Sequence, residues 1–189
     1  MSKIKNQAAF TLGEALVAVI ILLLATSIVV AGIPAAIRAY DNVIVASNAE
    51  VLLSTTVSAL RNELSTARDI SASGTDISYY NQSTKTRSKI YIGGASSGPQ
   101  DIMYKRYAST ETSNDPRLVS KEASDLNMEL HVSYKSVTYS NGLVKFTGLA
   151  VTRKDGNATP ASIKKPNGES GGELTIRVIS YAHDSLDSN

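Results

Sequence analysis

The chain has no cysteine. That excludes a disulfide framework, a thiolate nucleophile and a cysteine-ligated metal centre. It assigns no compartment, because an exported domain of this size can be stable without disulfides. Histidine is nearly as scarce, with only His131 and His183. Neither has a partner histidine at ligand spacing, and a zinc site wants three or four ligands, so both read as ordinary surface residues. An excess of one charge is missing too. There are 19 Lys and Arg against 17 Asp and Glu, and Lys3 and Lys5 alone make the difference. A balanced chain has no general attraction to nucleic acid or anionic lipid, which leaves only local patches to consider. Gly93-Gly94 and Gly171-Gly172 carry no P-loop or dinucleotide fingerprint and read as turns. Asp184 and Asp187 lack the calcium-loop pattern. No serine is expected to lie in a nucleophile-elbow pattern such as Gly-x-Ser-x-Gly. No catalytic residue, cofactor or metal is therefore anticipated.

What is present is concentrated at the N-terminus. A short basic leader, Met1 to Ala9, runs into Phe10-Thr11-Leu12-Gly13-Glu14. Then come 23 residues, Ala15 to Ile37, without a charged side chain. As a helix rising about 1.5 Å per residue, this run is long enough to cross the hydrocarbon core of a bilayer. Lys3 and Lys5 precede it and would hold that end on the cytoplasmic side. Glu14 is the informative residue. A carboxylate costs about 2.5–3.5 kcal/mol at the centre of a bilayer, so an ionisable group at the mouth of an apolar span points to function. In an ordinary secretory signal the small-residue cleavage site follows the apolar stretch, and the stretch is discarded. Here Ala8-Ala9 precede it, so cleavage there keeps the helix.

That order, with Phe-Thr-Leu-x-Glu directly after the small residues, resembles the class III leader of type IV pilins and pseudopilins. The resemblance implies cleavage by a prepilin peptidase between Ala9 and Phe10 and methylation of the new Phe10 amine. It implies that Thr11, Leu12 and Glu14 belong to the filament-assembly motif, with Glu14 neutralising the terminal amine of a neighbouring subunit. The implied partners are other pilin or pseudopilin subunits, the peptidase and the assembly platform in the cytoplasmic membrane. The chain departs from the family pattern at Ala9, where glycine is usual, at Gly13, where a large aliphatic is common, and at Pro34, which falls late. The physics agrees with a carboxylate at this place: it opposes the positive end of the helix dipole, and a buried ion pair can hold registry in an apolar assembly.

Beyond the span, Ala46, Ala49, Leu53, Val57, Leu60, Leu64 and Ala67 recur at steps of three and four, predicting one helix to about Asp69. Gly32 and Pro34 interrupt it, and proline predicts a kink or weak point there. After Asp69, Ser, Thr, Gly, Tyr and β-branched residues favour strands and loops. Residues 71–76 read as a loop. Ile77–Tyr80, Lys89–Ile92 and Ile102–Ala108 read as strands, and Thr110–Pro116 as a polar loop. Met128–Tyr139 and Leu143–Arg153 flank Asn141-Gly142, the favoured pair for a tight hairpin. In the first arm Met128, Leu130, Val132 and Tyr134 alternate with Glu129, His131, Ser133 and Lys135, marking one buried face. Glu173–Tyr181 supplies a last strand. The expected layout is α+β: leader 1–9, transmembrane and assembly helix 10–38, amphipathic continuation 39–70, and an antiparallel β-sheet head 71–189. That order also matches the pilin architecture the resemblance implies.

One patch in the head bears on binding. Lys85, Arg87, Lys89, Lys105 and Arg106 lie among Tyr79, Tyr80, Tyr91, Tyr104 and Tyr107. Cations mixed with aromatics suit nucleic acid or another polyanion. The competing reading is that the cations keep exposed strands soluble while the tyrosines pack on the core. Two functions therefore stand side by side: a filament subunit, or a single-pass anchored protein whose outer domain binds a ligand or polymer and forms no filament.

Overall fold

The computed structural model describes residues 12–94, 100–107, 117–119, 129–154, 160–165, 167–169 and 171–179. The fold is α+β, with one long N-terminal helix, α1 (Leu12–Ser65), followed by antiparallel sheets. The chain divides into two compact units, Met1–Ile44 and Val45–Asn189, and α1 contributes to both.

In the first unit α1 carries no charged side chain from Ala15 to Ile37. The large side chains from Leu12 to Ile37 are all exposed, and among the described residues the unit has no strand to cover them. Pro34 lies inside the helix, which runs on through it. The ring nitrogen cannot donate to the Val30 carbonyl, so one rung of the ladder is removed there. By length and composition this helix can cross a membrane.

In the second unit the same helix buries Ala49, Leu52, Thr56, Leu60 and Leu64. The expected stripe is thus displaced around the helix: Leu60 and Leu64 are fully buried, while Leu53 and Val57 are half-buried at its margin. Thr56 lies in the core because its hydroxyl donates to the Leu52 carbonyl at 2.8 Å, which satisfies the polar group locally. The helix stops at Ser65, short of Asp69. Ala67 is still buried, but as the first residue of β1 (Ala67–Ser73), opposite Asn81. Ladder bonds to the next strand replace the helical bonds, a choice that side-chain periodicity does not register. The segment expected to be a loop, 71–76, is accordingly the end of β1, a turn and the start of β2.

β1, β2 (Asp76–Asn81), β3 (Thr86–Gly94) and β4 (Gln100–Arg106) form a four-stranded meander. Its core face carries Ile77, Tyr79, Ile90 and Ile102. Gly93, expected in a turn, lies within β3 opposite Asp101; a Cβ there would collide with the Met103 side chain. The hairpin at Asn141-Gly142 forms as expected. Ser140 pairs with Leu143, and the two turn residues have φ of 52° and 74°, as a type I′ turn requires. Each arm bends once. β5 (Leu130–Ser133) pairs with β8 (Ala150–Arg153) and β6 (Ser136–Ser140) with β7 (Leu143–Thr147) in one continuous register. Beyond the bend the arms belong to separate sheets. One is completed by β9 (Ala161–Ser162), the other by β10 (Glu173–Arg177).

Buried residues from all three sheets and from α1 join in one hydrophobic cluster. Specific polar bonds tie its elements together. Val137 donates its N–H to Gly74 at 2.9 Å, Tyr134 donates its hydroxyl to Thr75 at 2.6 Å, and Ile179 donates to the Ser65 carbonyl at the helix end at 2.9 Å.

Candidate functional site

Three places were candidates: the mouth of the apolar helix, the basic and aromatic stretch of the head, and the histidines. Ala9, Phe10 and Thr11 lie outside the described residues. Leu12 opens α1 and is highly exposed, and Glu14 is the acidic residue of the first turn. A carboxylate in that turn interacts favourably with the unsatisfied N–H groups and the dipole of the helix. A Cβ on Gly32 would meet nothing within 4 Å. Gly32 thus stands in open space two residues before the proline that removes a helical hydrogen bond.

In the head the register separates the cations that sequence had grouped. Tyr80 stands opposite Arg87, and Lys89 stands opposite Ser78 on one side and Lys105 on the other. These residues share the face of the four-stranded sheet away from the core. Arg68 joins them, opposite Tyr80 in β1. Tyr107 follows β4 and donates its N–H to Arg87 at 2.9 Å, which continues the ladder and sets it beside that arginine. The face thus carries a row Arg68, Tyr80, Arg87, Tyr107 and, next to it, the pair Lys89 and Lys105. Lys89 contacts Asp76 at 2.7 Å and lies 5.3 Å over the Tyr91 ring. Lys85 is exposed in the β2–β3 turn.

Arg106 does not belong to this group. It points to the opposite face with Ser88 and Tyr104, donating Nε–H to the Tyr104 hydroxyl at 2.8 Å and stacking over its ring at 5.4 Å. Tyr79 lies on that inner face as well. Its hydroxyl donates to Glu63 at 3.0 Å, and Asn81 donates to the same carboxylate oxygen at 2.7 Å. Burial pushes the Tyr79 phenol well above its ordinary pKa, and the Glu63 charge adds to the rise. Glu63 therefore ties the end of α1 to β2, a role hidden in sequence because the residue lies on a polar helix position.

His131 is not a surface residue. It is 8% exposed, and its Nδ1 lies 2.9 Å from Asp101, whose same oxygen contacts Arg117 at 3.0 Å. The other oxygen accepts the Val132 N–H at 3.3 Å. Strand alternation placed His131 outside, yet β5 is covered on both faces, and its partner lies 30 residues away in sequence, on β4. His183, Asp184 and Asp187 lie outside the described residues, as does Met128. Among the described residues no group of three or more His, Asp or Glu is placed to hold a metal ion.

The letters Gly-x-Ser-x-Gly do occur twice, over 94–98 and 168–172, contrary to the expectation that no serine fits an elbow. Neither has the strand–turn–helix context the elbow requires: the first joins β3 to β4, and the second leads into β10. A groove of about 690 Å³ runs between α1 and the β9 segment, lined by Leu53, Val57, Ala161 and Ile163 together with the charged Glu50, Arg61 and Lys164.

Compared with known proteins, the chain matches no family model, no curated protein and no solved structure.

Proposed function

We propose that this chain is a type IV pilin-like structural subunit, a minor pilin or pseudopilin. It is cleaved after Ala9, held in the cytoplasmic membrane with its head outside, and extracted into a surface or envelope-spanning filament. The observation that carries the reading is Glu14 in the first turn of a helix that has no other charged side chain up to Ile37 and exposes its large apolar ones. Such a surface is stable only in lipid or among other helices, and a filament exchanges the first for the second. The carboxylate then limits the cost of burying the Phe10 amine. Peptidase, platform and neighbouring subunits are the partners this mechanism needs.

Intact mass of the membrane-extracted protein tests the processing step, with the mature chain expected to begin at N-methylated Phe10. Glu14→Ala tests assembly: the variant should insert in the membrane but be depleted from sheared surface material. A chain beginning at Met1, or undiminished assembly of Glu14→Ala, would overturn the corresponding step. A second reading has its own support in the basic and aromatic sheet face. It is a single-pass anchored protein that binds a polymer and forms no filament, and it would be absent from sheared material with either residue at position 14.

A further inference from the structure

We infer that the outer face of the four-stranded sheet binds an acidic polysaccharide, laid across the strands with one sugar over each of β1 to β4. The inference does not depend on whether the chain enters a filament. Along the row Arg68, Tyr80, Arg87 and Tyr107, cation and aromatic alternate from strand to strand. Adjacent strands are about 4.8 Å apart, a spacing on the scale of one sugar ring. A glycan that alternates acidic and neutral sugars therefore matches the row in both period and chemistry. Guanidinium groups take carboxylates or sulfates in paired hydrogen bonds. Tyrosine offers a ring to the C–H side of a neutral sugar and a hydroxyl to its polar edge.

In the neighbouring row Lys89 and Lys105 are directly opposed across β3 and β4 and add to the positive charge of the face. Single-stranded nucleic acid fits less well, since it needs a run of open aromatic rings. Here the Tyr91 ring has Lys89 over it, and Tyr79 and Tyr104 face the core side. Tyr80 and Tyr107 remain, separated by an arginine.

The test uses the full chain in neutral detergent at low ionic strength, with labelled hyaluronan oligosaccharides, oligothymidylate and polyphosphate as probes. Hyaluronan should bind most tightly. The double variant Arg68→Ala/Arg87→Ala should weaken it by about tenfold or more, as expected for lost charge-assisted hydrogen bonds. Tyr107→Ala should weaken hyaluronan several-fold and leave polyphosphate unchanged, while Arg106→Ala, on the other face, should change neither. Absence of hyaluronan binding, or equal loss in Arg106→Ala, overturns the proposal. Tighter binding of oligothymidylate would assign the face to nucleic acid and overturn it as well. Indifference to Tyr107 with equally tight polyphosphate would reduce the face to a patch of charge, which also overturns it.

Discussion

From Leu12 to Ile37 every large apolar side chain of α1 is exposed; from Ala49 to Leu64 the same helix hides one stripe and shows polar residues elsewhere. The first stretch has no charged residue between Ala15 and Ile37, whereas the second carries Glu50, Arg61 and Glu63 on its other faces. A helix that is apolar all round must be surrounded by apolar material, while a striped helix needs one covered side. The head supplies that cover from its three sheets. For Leu12–Ile37 the cover has to come from outside the unit. The comparison thus separates a segment whose stability belongs to its environment from a domain that carries its own core.

The largest effect that would break this comparison is a cavity. Leu60→Ala removes a fully buried side chain and should cost about 2–5 kcal/mol, a large share of a small domain's stability. Leu22→Ala, in the apolar run, should leave the unfolding of the head within about 0.5 kcal/mol of the parent chain. Thermal unfolding of the full chain in neutral detergent, read from amide exchange in β2 and β3, compares the two. Equal losses would mean that the apolar run supports the head directly.

A smaller effect should follow from Glu63→Ala. It removes the acceptor shared by Tyr79 and Asn81, leaves two inward-facing polar groups without it, and should cost about 1–3 kcal/mol. Glu50→Ala, on an exposed helix position, should cost next to nothing. If the two variants unfold alike, the carboxylate at 63 is not a tie between helix and sheet.

Alkaline pH should act on the head alone. Burial raises the phenol pKa of both Tyr79 and Tyr134, so the folded state keeps them neutral. The unfolded chain loses those protons from about pH 10 upward, where the folded state still binds them. Stability is therefore fully present below about pH 10 and declines as the pH rises further. Tyr134→Phe should cost about 0.5–1.5 kcal/mol at neutral pH through the lost bond to Thr75, and should make the alkaline decline shallower. The run from Ala15 to Ile37 has no titratable side chain, so its helicity in detergent should not follow that curve. Asn62→Ala marks the lower limit of the series: it lies on an exposed helix position and should barely move the melting temperature.

Local features of the chain were legible where one element decides its own structure. The apolar run and Glu14 can be read directly, because helix length and hydropathy depend only on consecutive residues. Asn141-Gly142 sets its hairpin for the same reason, since positive φ at two adjacent positions is a local demand. Gly32 and Pro34 were legible as an interruption, although the helix continues through them. Residues with remote partners were not legible. Thr56 counts as polar until its bond to the Leu52 carbonyl is known, and Ala67 fits the helical stripe yet belongs to a strand.

The sequence by itself determined an uncharged helical run that must find apolar surroundings, a carboxylate at its mouth, and an α+β order of elements. Tertiary structure alone decided which side chains meet. Pairing between strands placed Arg68, Arg87, Lys89 and Lys105 on one face and turned Arg106 to the other. It also buried His131 against Asp101. The physical reason is the two-residue alternation of a strand. A single step of register reverses the face of every side chain, and register is fixed by partners that lie far away in the chain.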